Sequence, residues 1–203
     1  MKPINNFVHY VWVGTDPIPA TYMDNFNRAK SINPSYNFKI WHDADIVANA
    51  KEYEELYNTS SVFHKLQIAR YTIMNSFGGL YTDFDIYWKI NFDVVYGLFD
   101  SVDLVFPKRN SLYFYNRGQK TSLIDDFVIM AHPNITKEFL TYCKLTEGQR
   151  DSKSPKQEPF SVYALTEWLF TKESKTFISH KLIDSNKDSI LAVHANKGSW
   201  DAK

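Results

Sequence analysis

Two aspartates separated by one residue are the feature of this sequence with the clearest chemical use. Asp83 and Asp85 flank Phe84 and follow a short hydrophobic segment that begins with Gly78 and Gly79. Carboxylate oxygens are the hard ligands that Mg²⁺ and Mn²⁺ prefer, and both ions commonly share their coordination with a diphosphate. Charges at the edge of a hydrophobic core are costly unless they bind something. The spacing therefore predicts a site for a metal-chelated nucleotide, and a nucleotide-sugar fits it best.

The composition indicates one folded domain over residues 1–203, with 44% hydrophobic and 16% aromatic residues. Basic and acidic residues are equal in number, 23 each, so no net field attracts nucleic acid or an anionic membrane. The single cysteine, Cys143, excludes an internal disulfide and a cysteine-based zinc cluster, and it favours a reducing compartment. We expect neither a signal peptide nor a membrane span, hence a soluble, cytoplasmic protein, and no protein partner is indicated.

Strands and helices are predicted to alternate along the chain, which is typical of an α/β fold with a parallel or mixed sheet. The predicted strands cover residues 7–13, 36–41, the segment before Asp83, 102–106, 127–131 and 190–194. The predicted helices cover residues 20–31, a segment from 43, a segment capped by Ser60 or Ser61 that runs to 77, a segment after Asn134 that runs to about 144, and residues 159–170. Ligands of such folds bind beyond the carboxyl ends of strands. Residues 12–14, 83–85 and 194–200 all lie at the ends of predicted strands, which supports a shared site.

Several short blocks of this sequence also occur together, in the same order, in a known family. The blocks are residues 9–14, 33–34 ahead of Trp41, 68–71, 78–85, and His194 with Ser199 and Trp200. Through them the chain resembles glycosyltransferase family 32, the Asp-x-Asp sugar transferases of the GT-A superfamily that include capsular polysaccharide and mannosyl transferases. It is also similar to the glucosylating domains of large clostridial toxins.

The resemblance implies a single GT-A domain, which is Rossmann-like, with a mixed, mostly parallel central sheet flanked by helices. It implies a metal-dependent, retaining hexosyltransferase that uses Mn²⁺ or Mg²⁺, with a role such as polysaccharide biosynthesis. The donor is expected to be a UDP-sugar such as UDP-glucose rather than a GDP-sugar. The acceptor is expected to be a glycan or another hydroxyl compound.

The resemblance also assigns roles to individual residues. Asp83, Asp85 and His194 would bind the metal, and Asp83, Asp85 and Arg70 would be catalytic. An indole offers a large flat face, so Trp12 would stack on the nucleobase. The full set implied to bind the nucleotide-sugar is Val11, Trp12, Gly14, Gln67, Arg70, Tyr81, Asp83, Phe84, Ser199 and Trp200.

One position departs from the family pattern. The family usually has an acidic residue three positions before Arg70, where this chain has Gln67. A carboxylate accepts two strong hydrogen bonds from sugar hydroxyls, whereas an amide donates on one side. Two alternatives therefore stay open: a catalytically weakened nucleotide-sugar-binding module, and a metal-dependent phosphohydrolase or nucleotidyltransferase that uses the same aspartates.

Other titratable residues have structural interpretations. His9 is expected to be a hydrogen-bonded histidine within a strand, and Asp43 and Asp45 are expected to cap a helix. Asp125 and Asp126 are expected to form a solvated cap rather than a catalytic pair.

Overall fold

A computed structural model describes most of the chain. It covers residues 5–98, 104–116, 119–124, 126–134, 136–146, 165, 168, 176–178, 183–184 and 191–194. The helices are α1 (Ala20–Ile32), α2 (Asp43–Asn49), α3 (Glu54–Thr59), α4 (Val62–Phe77), α5 (Phe92–Leu98) and α6 (Lys137–Thr146), and a 3-10 turn (Lys51–Tyr53) precedes α3. The strands are β1 (Phe7–Val11), β2 (Asn37–Trp41), β3 (Gly79–Thr82), β4 (Ile86–Trp88), β5 (Leu104–Asn116), β6 (Gln119–Ile124), β7 (Val128–Ala131), β8 (Thr176–Ile178), β9 (Ile183–Asp184) and β10 (Ala192–His194).

Seven of the described strands form one mixed sheet in the order β2-β1-β3-β7-β5-β6, with β8 beside β5. Strand β1 is parallel to both β2 and β3, whereas β7 is antiparallel to β3 and β5. Strand β6 is antiparallel to β5, and β8 is parallel to it. A smaller sheet has the order β4-β10-β9. The predicted α/β fold with a mixed central sheet is therefore confirmed.

The central strand β3 is buried on both faces, to which its side chains point alternately. On one face, Leu80 of β3 packs in a cluster with Phe26 of α1 and Phe92 of α5. On the other face, Tyr81 packs in a cluster with Ile73 of α4 and Phe139 of α6. The central strands consequently lie between two layers of helices, which explains their nearly continuous hydrophobic sequence.

Helix α4 leads directly into β3, and its two ends follow recognisable rules. Ser61 precedes the helix, and its hydroxyl accepts a hydrogen bond from the backbone N–H of His64, as predicted for a cap. Gly78 ends the helix with a φ of +61°, and Gly79 continues with a φ of +94°. Only glycine adopts such angles without strain. The Gly-Gly pair therefore reverses the chain between α4 and β3.

His9 is a hydrogen-bonded strand residue, as predicted. Its Nδ1 accepts from the indole of Trp41 at 3.1 Å, so its Nε2 carries the proton and donates to the Gly78 carbonyl at 2.8 Å. Burial lowers the pKa of His9 to about 4, which keeps the ring neutral. The side chain joins β1, β2 and the end of α4.

The helix predicted over residues 159–170 lies mostly outside the described residues, where positions 165 and 168 are helical. Across the described ranges, no helix combines the length and the apolar composition needed to cross a bilayer.

We expect Gly79→Ala to destabilise the fold strongly. A Cβ at this position would lie 2.5 Å from the carbonyl oxygen of Phe7, in a backbone conformation with positive φ. The expected loss in the free energy of unfolding is about 3 kcal/mol, measured by denaturant titration. Gly97→Ala is the matched control, because its Cβ would meet no atom within 4 Å. Equal stability of Gly79→Ala and the wild type would contradict this account of the turn.

Candidate functional site

A cavity of about 330 Å³ lies at one edge of the central sheet. Strands β1 and β3 are parallel, so their carboxyl ends meet at this edge. Strand β7 is antiparallel to β3 and therefore begins there, where Thr82 pairs with Val128. The first turns of α4 form another side of the cavity. The topology thus brings together segments that are far apart in the sequence.

The wall of the cavity is apolar and aromatic in one part and acidic in another. Its lining residues are Val11, Trp12, Val13, Gly14, Thr15, Asp16, Tyr22, Val62, Leu66, Arg70, Asp83, Phe84 and Asp85. Sites for small molecules typically combine such an apolar surface with a few polar groups that orient the ligand.

The orientation of Trp12 is set by three contacts. Its indole N–H donates to the backbone carbonyl of Asp16 at 2.7 Å. The rings of Tyr22 and Phe84 meet the indole edge-on, with ring centroids 6.1 and 5.9 Å away. The side chain is half-buried, so part of the ring borders the cavity. A large aromatic surface held in one orientation suits the stacking of a flat ligand.

Asp43 holds the loop that follows Trp12. Its Oδ2 accepts from the backbone N–H of Gly14 at 2.7 Å, and its Oδ1 accepts from the hydroxyl of Tyr57 at 3.0 Å. The prediction that Asp43 caps a helix is therefore wrong, because its carboxylate faces this loop while His42 occupies the cap position. Asp45 does act at the helix start, where it accepts from the backbone N–H of His42.

Arg70 is the centre of a buried polar network beside the cavity. Its Nη2 donates to both carboxylate oxygens of Asp83, at 2.9 and 3.0 Å. Its Nη1 donates to Oδ1 of Asp126 at 2.7 Å, and its Nε donates to the hydroxyl of Tyr81 at 2.9 Å. The Tyr81 hydroxyl in turn donates to Asp83. The guanidinium is almost fully buried, which makes these charge-assisted bonds necessary.

Asp126 was expected to be solvated, and that prediction is wrong. The residue is 2% exposed and lies between Arg70 and the hydroxyl of Tyr71, which donates to its Oδ2 at 3.0 Å. It occupies this place because it comes just before β7, at the edge where β3 ends. The backbone of Phe127 also accepts from the N–H of Asp83 at 2.9 Å. Asp125 lies outside the described residues.

The two aspartates of the Asp-x-Asp pair have different surroundings. Burial raises the pKa of Asp83 to about 6, with Arg70 acting in the opposite direction and Asp85 adding to the increase. The carboxylate of Asp83 is thus paired with the guanidinium of Arg70. Asp85 follows two residues later, is 8% exposed and borders the cavity.

These carboxylates suit a divalent cation whose remaining coordination positions are filled by a bound ligand rather than by further protein side chains. Within the described ranges, no group of three histidine, cysteine, aspartate or glutamate side chains is placed to hold a metal ion. Mg²⁺ and similar ions commonly take one or two carboxylates and complete their coordination with phosphates and water. Asp85, with Asp83 beside it, offers such a partial set.

The structure brings together most of the residues predicted for the site. Seven of them line the cavity, namely Val11, Trp12, Gly14, Arg70, Asp83, Phe84 and Asp85. Tyr81 lies behind the wall, bonded to Arg70, and Gln67 is buried in α4 without lining the cavity. The backbone of His194 pairs with Ile86, one residue after Asp85. Ser199 and Trp200 lie outside the described residues.

Comparison with known proteins finds similarity to glycosyltransferases. Residues 19–98 match the model of a family described as a glycosyltransferase sugar-binding region containing a DXD motif. A protein of Acanthamoeba polyphaga mimivirus described as an uncharacterized glycosyltransferase is 30% identical over 47% of this chain. The inositol phosphoceramide mannosyltransferase 1 of Schizosaccharomyces pombe is 24% identical over the whole chain. The chain spans 41% and 65% of the lengths of these two relatives.

A solved structure has the same fold. The PaToxG glycosyltransferase superposes with a TM-score of 0.52 and 16% identity, over 83% of this chain and 76% of that chain. The predicted resemblance to Asp-x-Asp glycosyltransferases is confirmed by the matching family and relatives, which agree with the predicted enzyme class, glycosyltransferase.

We expect Asp43→Ala to release the loop that carries Gly14. A hydrogen bond from an N–H to a carboxylate contributes about 1.5 kcal/mol, so its loss corresponds to about tenfold faster hydrogen exchange of the Gly14 amide. Asp45→Ala is the control, because the carboxylate of Asp45 binds the start of the same helix rather than the loop. Unchanged exchange at Gly14 in Asp43→Ala would show that the bond does not restrain the loop.

Proposed function

We propose that the chain is a metal-dependent glycosyltransferase that moves a hexose from a nucleotide-sugar to a hydroxyl acceptor. The observation that carries the proposal is the position of Asp83 and Asp85 at the carboxyl edge of parallel strands, in the same cavity as Trp12. The family match over residues 19–98 supports it, because the match includes both aspartates. We treat residues 1–203 as one such domain.

The two parts of the cavity suit the two parts of a nucleotide-sugar. The nucleobase would lie on Trp12, in the apolar part that also contains Val11 and Phe84. The diphosphate would lie towards Asp85, through a shared cation. UDP is the expected nucleotide and UDP-glucose or a related UDP-sugar the expected donor, both from the family resemblance. Gly14 leaves room for close approach, since no atom lies within 4 Å of a Cβ at that position.

Mn²⁺ or Mg²⁺ would be held by Asp85 and Asp83, with His194 as the third ligand implied by the family. The register of β10 supports that choice, since the backbone of His194 is opposite Ile86. A bound cation would stabilise the negative charge that develops on the leaving phosphate. Ser199 and Trp200 stay in the proposal as residues of the diphosphate site.

We propose that the main role of Arg70 is to position Asp83. All three of its nitrogens take part in hydrogen bonds within the protein, two of them to Asp83 and Asp126. Asp83 is therefore fixed before any ligand arrives, which avoids the cost of ordering it later. Any contact between Arg70 and the donor would use the N–H groups that these bonds leave.

We propose transfer with retention of the anomeric configuration. The acceptor oxygen would bond to the anomeric carbon on the face from which the diphosphate leaves, while the bond from that carbon to the phosphate oxygen breaks. The acceptor proton would pass to the leaving phosphate oxygen. This route needs no carboxylate nucleophile, which agrees with the engagement of Asp83 by Arg70.

We expect Asp85→Asn to remove the strengthening of UDP binding by Mn²⁺. The amide keeps the shape of the side chain but is a far weaker metal ligand. The factor by which Mn²⁺ strengthens UDP binding should therefore fall at least about tenfold. Isothermal titration with UDP, with and without Mn²⁺, measures it. Asp93→Asn, an exposed aspartate outside the cavity wall, is the control. Retained Mn²⁺-dependent affinity in a folded Asp85→Asn protein would rule out this metal site.

We expect Trp12→Ala to weaken UDP binding by about 1–3 kcal/mol, as for other contacts between bases and aromatic side chains. Trp12→Phe should recover part of the loss, because it retains a flat ring but lacks the N–H bonded to the Asp16 carbonyl. Equal dissociation constants for the wild type and Trp12→Ala would exclude Trp12 from the base site.

The same protein preparations distinguish the alternatives. A transferase releases UDP from a UDP-sugar, faster when a hydroxyl acceptor is present, whereas a binding module binds the donor and leaves it intact. Gln67 makes the binding module worth testing, because it replaces an acidic residue of the family and is buried in α4. Rapid hydrolysis of simple phosphate esters would instead favour a phosphohydrolase.

A further inference from the structure

We propose that Asp126 makes nucleotide binding depend on a divalent cation, by holding the positive charge of Arg70 away from the diphosphate. This inference rests on the proposed function and adds to it a positioning residue outside the cavity wall. Asp126 is not one of the two aspartates of the Asp-x-Asp pair, and no local pattern in the sequence indicated this role.

The geometry places Asp126 directly behind Arg70. Its carboxylate is 2.7 Å from Nη1 of Arg70, and the two side chains are each 4% exposed. Its other oxygen accepts from the hydroxyl of Tyr71 at 3.0 Å. Both carboxylate oxygens are therefore bonded. The anion has a fixed position within the protein core, outside the cavity wall.

The charges around the cavity explain why this contact matters. In the part of the chain that the structure describes, Arg70 is the one cationic residue of the cavity wall. Its charge is shared between Asp83 and Asp126, with ion pairs of 2.9 and 2.7 Å. Asp85 borders the same cavity. Two carboxylates thus bind the single guanidinium, and a third borders the cavity at the place proposed for a diphosphate.

A diphosphate that enters such a site meets more negative than positive charge from these four residues. Electrostatic interactions are strong where burial lowers the effective dielectric constant, so the repulsion acts over several ångströms. A divalent cation removes the repulsion. Were Asp126 neutral, more of the Arg70 charge would act on the diphosphate, and the requirement for the cation would decrease.

The test uses Asp126→Asn and measures the affinity for UDP with and without Mn²⁺. We expect metal-free UDP to bind more tightly, by about fivefold. The factor by which Mn²⁺ strengthens UDP binding should fall by the same factor of about five. By linkage, the factor by which UDP strengthens Mn²⁺ binding should fall equally, and this can be measured with Mn²⁺ as the titrant. Asp126→Glu, which restores the charge, should return both factors towards the wild type.

Two matched variants separate charge from structure. Tyr71→Phe removes the hydroxyl that donates to Asp126 without changing any charge, so the Mn²⁺ factor should not change. Asp93→Asn makes the same change of charge at an exposed position of α5, and it should also leave the factor unchanged. Should Asp126→Asn fail to fold, Asp126→Ser, which leaves room for water beside Arg70, makes the same test.

The outcomes are distinguishable. If the wild type binds UDP with a dependence on Mn²⁺ and folded Asp126→Asn retains the same factor, the inference about Asp126 is wrong and the proposed function stands. If metal-free and metal-bound affinities fall together in Asp126→Asn, Asp126 has a structural role only, and the inference is again overturned. If the wild type binds no UDP under either condition, both the proposed function and this inference are overturned.

Discussion

A buried guanidinium must be surrounded by hydrogen-bond acceptors, and in this protein that requirement governs the geometry of the cavity. Arg70 comes from helix α4, Asp83 follows strand β3, and Asp126 precedes strand β7. Removing one partner from such a pair typically costs about 3–5 kcal/mol, because the remaining charge stays buried. The network therefore ties a helix and two strands together at the point where they form the site. Tyr81 completes it from within β3.

The rest of the fold serves to bring these three segments to one edge. Parallel pairing of β1 with β3 puts Trp12 and Asp83 at neighbouring strand ends. Antiparallel pairing of β3 with β7 puts the start of β7 at the same edge. The glycine pair at 78–79 permits the sharp reversal that lets α4 lie against the strand that follows it, with a Cβ at either position meeting neighbouring atoms closer than 3 Å.

The cavity that results has two chemically different parts, and this division is the physical basis for the proposed donor. Trp12 and Phe84 provide an apolar and aromatic surface, whereas Asp83 and Asp85 provide carboxylates a short distance along the same wall. A nucleotide-sugar has the same division, since its base is flat and its diphosphate attracts a cation. The carboxylates alone would repel a diphosphate, so the charge of the site is the physical reason for the proposed dependence on a metal.

Local patterns in the sequence determined the elements and several members of the site. The Asp-x-Asp pair after a hydrophobic strand, Trp12 after β1 and the Ser61 cap of α4 all follow from residue types and spacing over a few positions. Only the tertiary structure assigned Asp43 to the Gly14 loop and Asp126 to Arg70, across separations of 29 and 56 residues. The reason is that an aspartate near a turn has the same local pattern whether it caps a helix, faces solvent or binds a buried cation. Which of these it does depends on strand order and register, and those are set by packing across the whole sheet.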